Sequence, residues 1–397
     1  MNITCIITTS SITEIGGLQW SIRRISELLI SSGWLVDIVF IDQHGLPGYG
    51  NHDIPGVSLS DGWRSEIKIW TIQRLNLQGF RSRVSSEEFD TQHFISGLER
   101  ICRSRNYQLL HAFSTTTAGY IATLVARHLQ IPVLVSARGS DINLAALSPS
   151  KLAQIRWVLE NANALTFVSK DLLAKANLLN PCLERSKVIM NSTHDTYFGE
   201  NSAAIHYASQ NNFYVCGAGL LNMKKNPYEL LLVCARLLQR DIPVHLIWIG
   251  TISELDKPVI DKWIAQLDLS DAITITGRIN HEMVLSIMKQ TNIFLSASTN
   301  EGCPNAILEA MLAAKPVVAY AVGAIPEIVR HEKDGLVSSP SGTQILVDFV
   351  ERLSKNPTQV REYGLSARKR ILNDFTPEKE QKDWIECYKN VVRMQST

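Results

Sequence analysis

The amino-acid sequence predicts an α/β protein made of two domains, each built on a parallel β-sheet. Apolar runs of strand length alternate with helical patterns through nearly the whole chain, and this alternation implies parallel sheets covered by helices. The length of 397 residues suits two domains of roughly 200 residues each better than a single core. Apolar residues make up 45% of the chain and charged residues 19%, which is the composition of a globular protein.

The first domain begins with a predicted buried strand over residues 3–8, followed by the pair Gly16 and Gly17. A helix comes next, because five apolar residues recur at spacings of four, three, three and one, which fit one helical face. Those residues are Leu18, Ile22, Ile25, Leu28 and Leu29. Gly33 ends this helix. The later predicted strands cover 34–41, a short run that ends at His111, and residues 133–135, 164–168 and 188–190. Helices are predicted over about 120–129 and 152–161.

The domain boundary is predicted within residues 196–211, because this segment shows no clean strand or helix period. The chain therefore divides into a first domain over 1–200 and a second domain over 201–375. We expect the C-terminal helix, over 376–397, to pack back on the first domain.

The second domain repeats the alternation of strands and helices. A helix is expected to begin at Pro227, with Asn226 as its cap. The predicted strands cover 213–216, 244–249, 272–276, 293–296 and 317–319. Open parallel sheets bind ligands at the carboxyl ends of their strands, so two such sheets in tandem predict an active site between the domains.

Composition excludes several classes of protein. No window approaches the roughly 18 uninterrupted apolar residues of a membrane span, and the first residues lack the pattern of a signal peptide, so we expect a cytoplasmic protein. The seven cysteines include no C-x-x-C pair, which argues against a zinc site or a disulfide framework. A formal charge of +1 gives no footprint for nucleic acid.

Basic residues do cluster in the first half of the chain. Arg81 and Arg83 form one group, and Arg100, Arg103 and Arg105 form another. One interpretation is a solvated helix face. The other is a patch that faces anionic lipid headgroups or a phosphorylated acceptor, which would place the protein peripherally at the inner face of a membrane.

The most informative stretch covers residues 301–311, with the sequence E-G-C-P-N-A-I-L-E-A-M. It follows the predicted strand over 293–296 and turns into a helix near Pro304. The backbone N–H groups at such a helix start lack intrahelical partners, and together with the helix dipole they favour a phosphate group. Gly302 lets the backbone approach a ligand closely. Cys303 is expected to be a packed thiol and not a nucleophile.

Two carboxylates flank this predicted phosphate site. Glu301 lies on the loop, and Glu309 lies about one turn inside the helix. Carboxylates do not bind a diphosphate, but they accept hydrogen bonds from sugar and ribose hydroxyls. The alternative is that Glu301 is a favourable charge at a helix N-terminus and Glu309 an exposed surface residue.

This stretch resembles the E-x₇-E motif of retaining GT-B glycosyltransferases, specifically glycosyltransferase family 4. Further segments are similar to family motifs and occur in the family's order. They are Gly16-Gly17, Arg138-Gly139-Ser140-Asp141, Leu165 to Ser169, N-S-T-H-D-T-Y-F at 191–198, K-P-V-V-A at 315–319, V-G-A-I-P-E-I-V at 322–329 and D-G-L-V at 334–337. The resemblance spans essentially the whole chain and implies two Rossmann-like parallel-sheet domains that face each other across a cleft.

The resemblance also implies roles for individual residues. Glu309 would bind the nucleotide ribose, Glu301 the hydroxyls of the donor sugar, and Lys225 the diphosphate. The residues that would hold the donor through backbone or close approach are Gly16, Gly17, Gly302, Cys303, Pro304 and Asn305. An alternative for Lys225 is a solvated loop lysine.

Three further residues belong to the first domain. His111 matches the first histidine of the family's H-x-H segment and would contact the donor sugar or the acceptor. Its alternative is a hydrogen-bonded core residue. Arg138 and Asp141 are candidates on the acceptor side.

Three positions depart from the family pattern. The second histidine of H-x-H is Phe113, the glycine of N-G-V-D is Ser192, and residues 218–221 lack the family's arginine. Loss of that arginine removes a bidentate ligand of the diphosphate. Stabilisation of the leaving group must then come from Lys225, helix N-termini or another group.

The predicted function is therefore transfer of a sugar, with retention, from a nucleotide-diphosphate sugar to a hydroxyl acceptor. That acceptor is a saccharide, a lipid-linked saccharide or a small molecule. No D-x-D-like segment is present in a suitable loop, so we expect no metal and no other cofactor. The missing arginine favours the alternative of a non-catalytic partner subunit that binds nucleotide sugars. A GT-B nucleotide-sugar epimerase or a sugar phosphorylase is a further alternative. An oxidoreductase is disfavoured, since residues 13–18 lack G-x-G-x-x-G.

Overall fold

The protein forms two compact units, each with its own parallel sheet. The computed structural model describes residues 2–10, 17–43, 57–61, 67–74, 86–193 and 212–393. The first unit comprises Met1–Met190 and Glu380–Thr397, and the second comprises Asn191–Lys379. The segment in which we predicted the boundary, 196–211, lies outside the described residues.

The first unit contains an eight-stranded sheet. Its strands are β1 (Ile3–Thr8), β2 (Leu35–Asp42), β3 (Val57–Asp61), β4 (Lys68–Gln73), β5 (Leu109–Phe113), β6 (Val133–Ala137), β7 (Ala164–Phe167) and β8 (Ser186–Val188). Its helices are α1 (Gly17–Ser31), α2 (Ser86–Ser104), α3 (Thr117–Leu129), α4 (Ser140–Asn143), α5 (Pro149–Asn161) and α6 (Lys170–Leu179). The strand order is β3-β4-β2-β1-β5-β6-β7-β8. All neighbours pair in parallel except the edge strand β3, which is antiparallel to β4.

The second unit contains a six-stranded, all-parallel sheet. Its strands are β9 (Phe213–Ala218), β10 (Val244–Ile249), β11 (Ile273–Ile275), β12 (Ile293–Ser296), β13 (Val317–Tyr320) and β14 (Gly335–Ser338). The helices are α7 (Pro227–Leu238), α8 (Lys257–Gln266), α9 (His281–Gln290), α10 (Asn305–Leu312), α11 (Ile325–Ile328), α12 (Thr343–Ser354) and α13 (Pro357–Asp374). The last helix, α14 (Pro377–Arg393), belongs to the first unit from Glu380 onward. The strand order is β11-β10-β9-β12-β13-β14.

The predicted fold class is confirmed, and the differences concern short strands and the helices α2 and α6, which were not predicted. The patterns did not predict β3, β4 or β14, and β8 begins two residues before the predicted strand over 188–190. The strand β14 begins with Gly335, a poor strand former. Only a glycine fits there beside β13, since a Cβ on Gly335 would lie 2.0 Å from the carbonyl oxygen of Val317.

The C-terminal helix α14 contributes to the core of the first unit. Trp384, Cys387, Tyr388 and Val391 are buried in the same cluster as apolar residues of α1 and β5. Glu380 is 4% exposed, and it accepts two hydrogen bonds from the Arg24 guanidinium, at 2.8 and 3.1 Å. A buried carboxylate requires such a partner, so this pair ties α14 to α1.

A buried hydrogen-bonded chain joins α14 to the sheet. The hydroxyl of Tyr388 lies 2.7 Å from His111 Nδ1, and His111 Nε2 lies 2.6 Å from Ser136 Oγ. Ser136 in turn contacts Thr166 at 2.5 Å. His111 is 0% exposed, and burial, followed by the charge of Arg138, lowers its pKa well below the usual value. The imidazole is therefore neutral at pH 7 and serves as the link between two hydroxyl groups.

We expect the substitution Tyr388→Phe to destabilise the first unit by about 1–3 kcal/mol, because it leaves a buried ring nitrogen of His111 without its partner. Urea unfolding measures the loss. Tyr228→Phe is a matched control, since Tyr228 lies in the second unit and is 44% exposed, and should change the free energy of unfolding by no more than about 0.5 kcal/mol. Equal effects of the two substitutions would contradict the structural role of Tyr388.

Candidate functional site

The second sheet has its topological switch point between β9 and β12. From β9 the chain proceeds to β10 on one side, and β12 lies on the other side. In open α/β sheets, ligands bind outside the carboxyl ends of the strands at such a point. Two loops emerge there: residues 219–226 follow β9, and residues 297–304 follow β12. These loops contain Lys225 and Glu301, two of the predicted site residues.

A buried ion pair connects the two loops. Glu301 is 6% exposed. Its Oε1 lies 2.7 Å from Lys225 Nζ, and its Oε2 lies 3.4 Å from Lys224 Nζ. Burial alone would raise the pKa of Glu301, but the charges of Lys225 and Lys224 outweigh it, so the pKa is lowered below its usual 4.5. Glu301 is therefore ionised at neutral pH and acts only as a hydrogen-bond acceptor.

Backbone contacts fix the position of Glu301. The backbone N–H of Thr299 donates to the carbonyl of Lys224 at 3.0 Å, which holds the two loops together. Gly323 has a φ of +54°, and a Cβ at this position would lie 2.0 Å from the carbonyl oxygen of Glu301. Glycine alone fits this conformation and this close approach. The N–H of Ala324 also donates to the carbonyl of Gly302 at 3.1 Å.

The loop over residues 219–226, which we call the lysine loop, leads into α7 through an unusual helix start. Asn226 has a φ of +53°, a left-handed conformation that Asn tolerates better than most residues. The predicted start of α7 at Pro227 is confirmed. The predicted side-chain cap is wrong, because the Asn226 amide donates to Glu229 and makes no capping bond. Glu229 also accepts from the Tyr320 hydroxyl on β13, so the end of the lysine loop is held from two sides.

Asn191, the first residue of the motif at 191–198, contacts the start of α10. Its side-chain amide lies 3.0 Å from the carbonyl of Cys303 and 2.7 Å from Asn305 Oδ1. Asn191 is 5% exposed, so it supports the start of α10 from inside the second unit. The other part of its motif, residues 194–198, lies outside the described residues.

The start of α10 has the features of an anion site. Pro304 occupies the N-cap position and makes no side-chain capping bond. The first N–H groups of such a helix have no intrahelical partner, and the dipole adds a partial positive charge. Glu309 lies one turn further along, and its Oε1 is 3.1 Å from His281 Nε2 at the start of α9. The predicted positions of Pro304, on the approach to the helix, and of Glu309, inside it, agree with the structure.

Three predicted site residues, His111, Arg138 and Asp141, belong to the first unit. The burial and the two hydrogen bonds of His111 favour its alternative as a core residue. Asp141 is 5% exposed and accepts from the backbone N–H groups of Thr115 and Gly139, at 2.8 and 2.9 Å. The guanidinium of Arg138 lies 5.4 Å from the centre of the Phe113 ring.

The predicted glycine pair and basic clusters lie only partly within the described residues. Gly17 begins α1, whereas Gly16, Arg81 and Arg83 lie outside the described residues. Arg103 pairs with Glu99 at 2.7 Å on α2, which is typical of a solvated helix face.

Within the described parts of the chain, no three His, Cys, Asp or Glu side chains are grouped so that they could hold a metal ion. None of the described helices is both long enough and apolar enough to cross a membrane. The seven cysteines are free thiols.

Sequence reasoning missed Lys224, His281 and Gly323. The doublet Lys224-Lys225 is visible in the sequence, but only the folded loop shows that both ammonium groups face Glu301. No local pattern connects His281 with Glu309, because the two residues lie on different helices. Gly323 was quoted as part of a motif, and its contact with Glu301 required the fold.

Comparison with known protein families gives two matches. Residues 200–370 match the family described as glycosyl transferases group 1. Residues 56–169 match the family described as glycosyl transferase 4-like. The two matched segments lie one in each half of the chain.

Curated relatives are similar either at low identity over long segments or at higher identity over a short one. The N-acetyl-alpha-D-glucosaminyl L-malate synthase of Bacillus anthracis is 21% identical over 304 residues, which cover 75% of this chain and 78% of the relative. An uncharacterized glycosyltransferase of Methanocaldococcus jannaschii is 22% identical, with 96% of each chain covered. The alpha-D-kanosaminyltransferase of Streptomyces kanamyceticus is 32% identical over 101 residues, 25% of this chain and 26% of that protein.

Solved structures show the same fold. Sucrose-phosphate synthase from Thermosynechococcus elongatus superimposes with a TM-score of 0.81 at 18% identity, covering 99% of this chain and 100% of that one. Anabaena HepE in complex with UDP-glucose gives a TM-score of 0.77 at 17% identity, covering 98% and 99%. Both are similar to this chain along nearly its whole length, which supports the GT-B fold.

We expect Gly323→Ala to destabilise the second unit by more than about 2 kcal/mol, because both the backbone conformation and the contact with Glu301 oppose a Cβ. Gly342→Ala is the control: Gly342 also has a positive φ, +101°, but a Cβ added there would meet nothing within 4 Å. Backbone strain alone should then cost about 1–2 kcal/mol. Chemical unfolding compares the two, and an equal loss would show that the approach to Glu301 is unimportant.

Proposed function

We propose that this chain, in which residues 200–370 match the glycosyl transferases of group 1 and residues 56–169 match a glycosyl transferase 4-like family, transfers a sugar from a nucleotide-diphosphate sugar to a hydroxyl acceptor, with retention and without a metal. The chain is a glycosyltransferase of the GT-B fold. The observation that supports the finer proposal is the buried pair of Glu301 with two lysines, next to the uncapped start of α10. Anion-binding and hydroxyl-binding groups meet there in one small region.

The diphosphate of the donor binds at the N-terminus of α10. Free N–H groups and the helix dipole favour a phosphate at this position. Lys224 and Lys225 add two positive charges from the loop after β9. Such fixed donors stabilise the charge that develops on the leaving phosphate without reorganising during the reaction.

Lys224 replaces the arginine that residues 218–221 lack. Its ammonium group lies 3.4 Å from Glu301 Oε2, on the same carboxylate that Lys225 contacts. Two lysines supply the same charge as one arginine and one lysine. They lack the planar fork of a guanidinium, so the diphosphate is held by two point charges and by backbone N–H groups.

The two carboxylates bind the neutral parts of the donor. Glu301 accepts hydrogen bonds from the hydroxyls of the sugar ring, and Glu309 accepts from the ribose hydroxyls. His281 contacts Glu309 in this structure, and the ribose would share or replace that hydrogen bond. HepE, a structural neighbour of this chain, has been solved in complex with UDP-glucose, which supports a nucleotide sugar as the donor.

The reaction proceeds at the anomeric carbon of the donor sugar. The bond from that carbon to the phosphate oxygen breaks, and the acceptor oxygen forms its bond on the same face. The transition state resembles an oxocarbenium ion, and the proton of the acceptor hydroxyl moves to the departing phosphate. The leaving group thus acts as the base, which is why the proposal needs neither a separate basic residue nor a metal.

The combined substitution Glu301→Gln and Glu309→Ala should abolish donor use. Charge-assisted hydrogen bonds are worth about 1.5–3 kcal/mol each, so the loss in kcat/KM is expected to be on the order of 100-fold or more. The measurement is transfer of labelled sugar to acceptor in the presence of EDTA, after a thermal-shift screen has identified the nucleoside diphosphate that raises Tm most.

Glu282→Gln is the control for this experiment, because Glu282 is exposed at the start of α9. It should transfer sugar at the wild-type rate. Full activity of the double variant would refute the site. Loss of wild-type activity in EDTA would refute metal independence, and conversion of the donor without any acceptor would indicate an epimerase.

Lys224→Met should lower kcat/KM by roughly 10- to 100-fold, since one charge on the leaving group is lost. Lys224→Arg should retain most of the activity, because the charge remains. Lys257→Met, at an exposed position on α8 paired with Asp261, is the control and should be unaffected. If Lys224→Met matches Lys257→Met, Lys224 has no part in stabilising the diphosphate.

A further inference from the structure

The lysine loop is anchored at its first residue by the neighbouring strand β10. The carbonyl of Gly219 accepts from the indole N–H of Trp248 at 2.9 Å, and Trp248 is 2% exposed. The backbone N–H of Gly219 donates to the carbonyl of Ile249, also at 2.9 Å. A Cβ added to Gly219 would lie 3.8 Å from Lys225 Cε, so the aliphatic stem of this lysine passes over the anchored glycine.

A carboxylate on α7 holds the last residue of the loop. Glu229 accepts from the side-chain amide of Asn226 through Oε2 and from the hydroxyl of Tyr320 through Oε1. Tyr320 is the last residue of β13 and is 2% exposed. Burial, followed by the hydrogen bond to Glu229, raises the pKa of Tyr320, so its hydroxyl keeps the proton that it donates. We call these three residues the anchoring triad.

The ordinary role of a residue such as Glu229 is to cap its helix. In a capping box, a Glu at the third helical position accepts from the backbone N–H of the N-cap residue. Glu229 is the third residue of α7, but the backbone N–H of Asn226 donates to the carbonyl of Met223 at 3.0 Å. Glu229 binds the Asn226 side chain, and its other oxygen accepts from Tyr320, 91 positions away. Capping requires no such distant partner, so the triad connects the lysine loop to β13.

Asn226 sets the direction in which the loop enters α7. Its φ of +53° lies in the left-handed region, a conformation that persists where the surrounding structure holds it. The backbone N–H of Asn226 completes the 3₁₀ turn over Met223–Lys225, and its amide is held by Glu229. Lys225 directly precedes Asn226, so release of this amide would let the backbone rotate and would move the ammonium group.

The same stretch of chain supports the anion of the site. Three residues after Tyr320, a Cβ on Gly323 would lie 2.0 Å from the carbonyl oxygen of Glu301. The next residue, Ala324, donates its N–H to the carbonyl of Gly302 at 3.1 Å. Residues 320–324 thus contact the lysine loop through the triad and the glutamate loop through backbone. Shared support of this kind keeps the distances between fixed charges constant, which electrostatic stabilisation requires.

The ion pair with Glu301 holds the Lys225 ammonium group at 2.7 Å in this structure. Under the proposed function, a bound diphosphate competes for the same ammonium group. The pair alone would then no longer hold the lysine, whereas the backbone contacts and the triad remain.

We propose that Tyr320, through the other two members of the anchoring triad, positions Lys225 for the diphosphate of the donor. This inference rests on the proposed function, which assigns Lys225 to the leaving diphosphate. Tyr320 is a positioning residue, because it acts through the loop and not on the substrate. A misplacement of about 1 Å far from the chemistry can lower a rate roughly 100-fold, so a buried hydroxyl on β13 influences sugar transfer from a distance.

The first test measures nucleotide binding by the full chain. UDP, ADP, GDP and dTDP are screened by thermal shift, and the one that raises Tm most is titrated beside its monophosphate. Tyr320→Phe should weaken the diphosphate about tenfold, the effect of one charge-assisted hydrogen bond. It should weaken the monophosphate less than about twofold, because the monophosphate lacks the outer phosphate that Lys225 meets. Equal weakening of the two nucleotides would indicate a merely structural role and overturn the proposal.

Three further variants test the triad. Glu229→Ala removes the shared acceptor and should reproduce the effect of Tyr320→Phe, which gives a second comparison if Tyr320→Phe does not fold. Glu229→Gln keeps an acceptor for Tyr320, and its amide binds Asn226 after rotation of the Asn226 amide, so it should restore the affinity to within about threefold of wild type. Tyr363→Phe is the matched control in the same unit: Tyr363 is 8% exposed, and its hydroxyl has side-chain partners at 3.1 and 3.3 Å. It should leave both affinities unchanged.

A double-variant cycle shows whether Tyr320 acts through Lys225. Lys225→Gln removes the charge and keeps a hydrogen-bond donor for Glu301. In this background, Tyr320→Phe should change the Kd of the diphosphate less than about twofold, since the group that it positions is absent. If the two single effects multiply, as for independent sites, Tyr320 does not act through Lys225 and the proposal is overturned.

The failures of the two proposals are distinguishable. If a diphosphate binds the wild type and Tyr320→Phe binds it as well as Tyr363→Phe does, the positioning role is overturned and the proposed function stands. If none of the four diphosphates raises the Tm of the wild type, the proposed function fails, and the role of the anchoring triad fails with it.

Discussion

The buried charge of Glu301 constrains the whole site of the second unit. A carboxylate removed from water is costly unless cations and hydrogen bonds surround it. Lys224 and Lys225 meet that requirement from the loop after β9, whereas Glu301 itself follows β12. The two loops at the switch point must therefore close on each other, and the start of α10 is positioned as a result. Gly323 is required for the same reason, since its missing Cβ leaves room for the backbone of Glu301.

Such a pair is weak evidence for stability but good evidence for function. Replacing a buried ion pair by apolar side chains is often neutral or stabilising, so its presence at a ligand position needs another explanation. We infer an exchange of partners. Under the proposed function, the diphosphate would give the two lysines a new anion, and the sugar hydroxyls would give Glu301 new donors. Each of these charged groups then has a partner of opposite charge or a hydrogen-bond donor both before and after the donor binds.

Much of the fold could be predicted because it depends on local patterns. The strands β1, β10 and β12 begin and end at the predicted residues, since each is a short run rich in apolar residues. Glu301 and Lys225 were predicted from the resemblance to family motifs. The unpredicted features depend on distant contacts. Asn226 bonds to Glu229 and not to the helix N–H groups, the pairing of β14 depends on Gly335 against Val317, and His111 meets Tyr388 across 277 positions of sequence.

The environment of His111 depends on the direction of its side chain, which the sequence prediction did not take into account. Alternate residues of a strand share a face, so His111 lies on the same side of β5 as Leu109 and Phe113. Those two residues belong to the core cluster that also contains Trp384 and Tyr388. The position of His111 near the carboxyl end of β5 favoured contact with a ligand. The alternation of side chains along the strand instead directs His111 toward the face that α14 covers. The replacement of the second family histidine by Phe113 agrees with this environment, because the same face is apolar. His111 therefore supports the C-terminal helix.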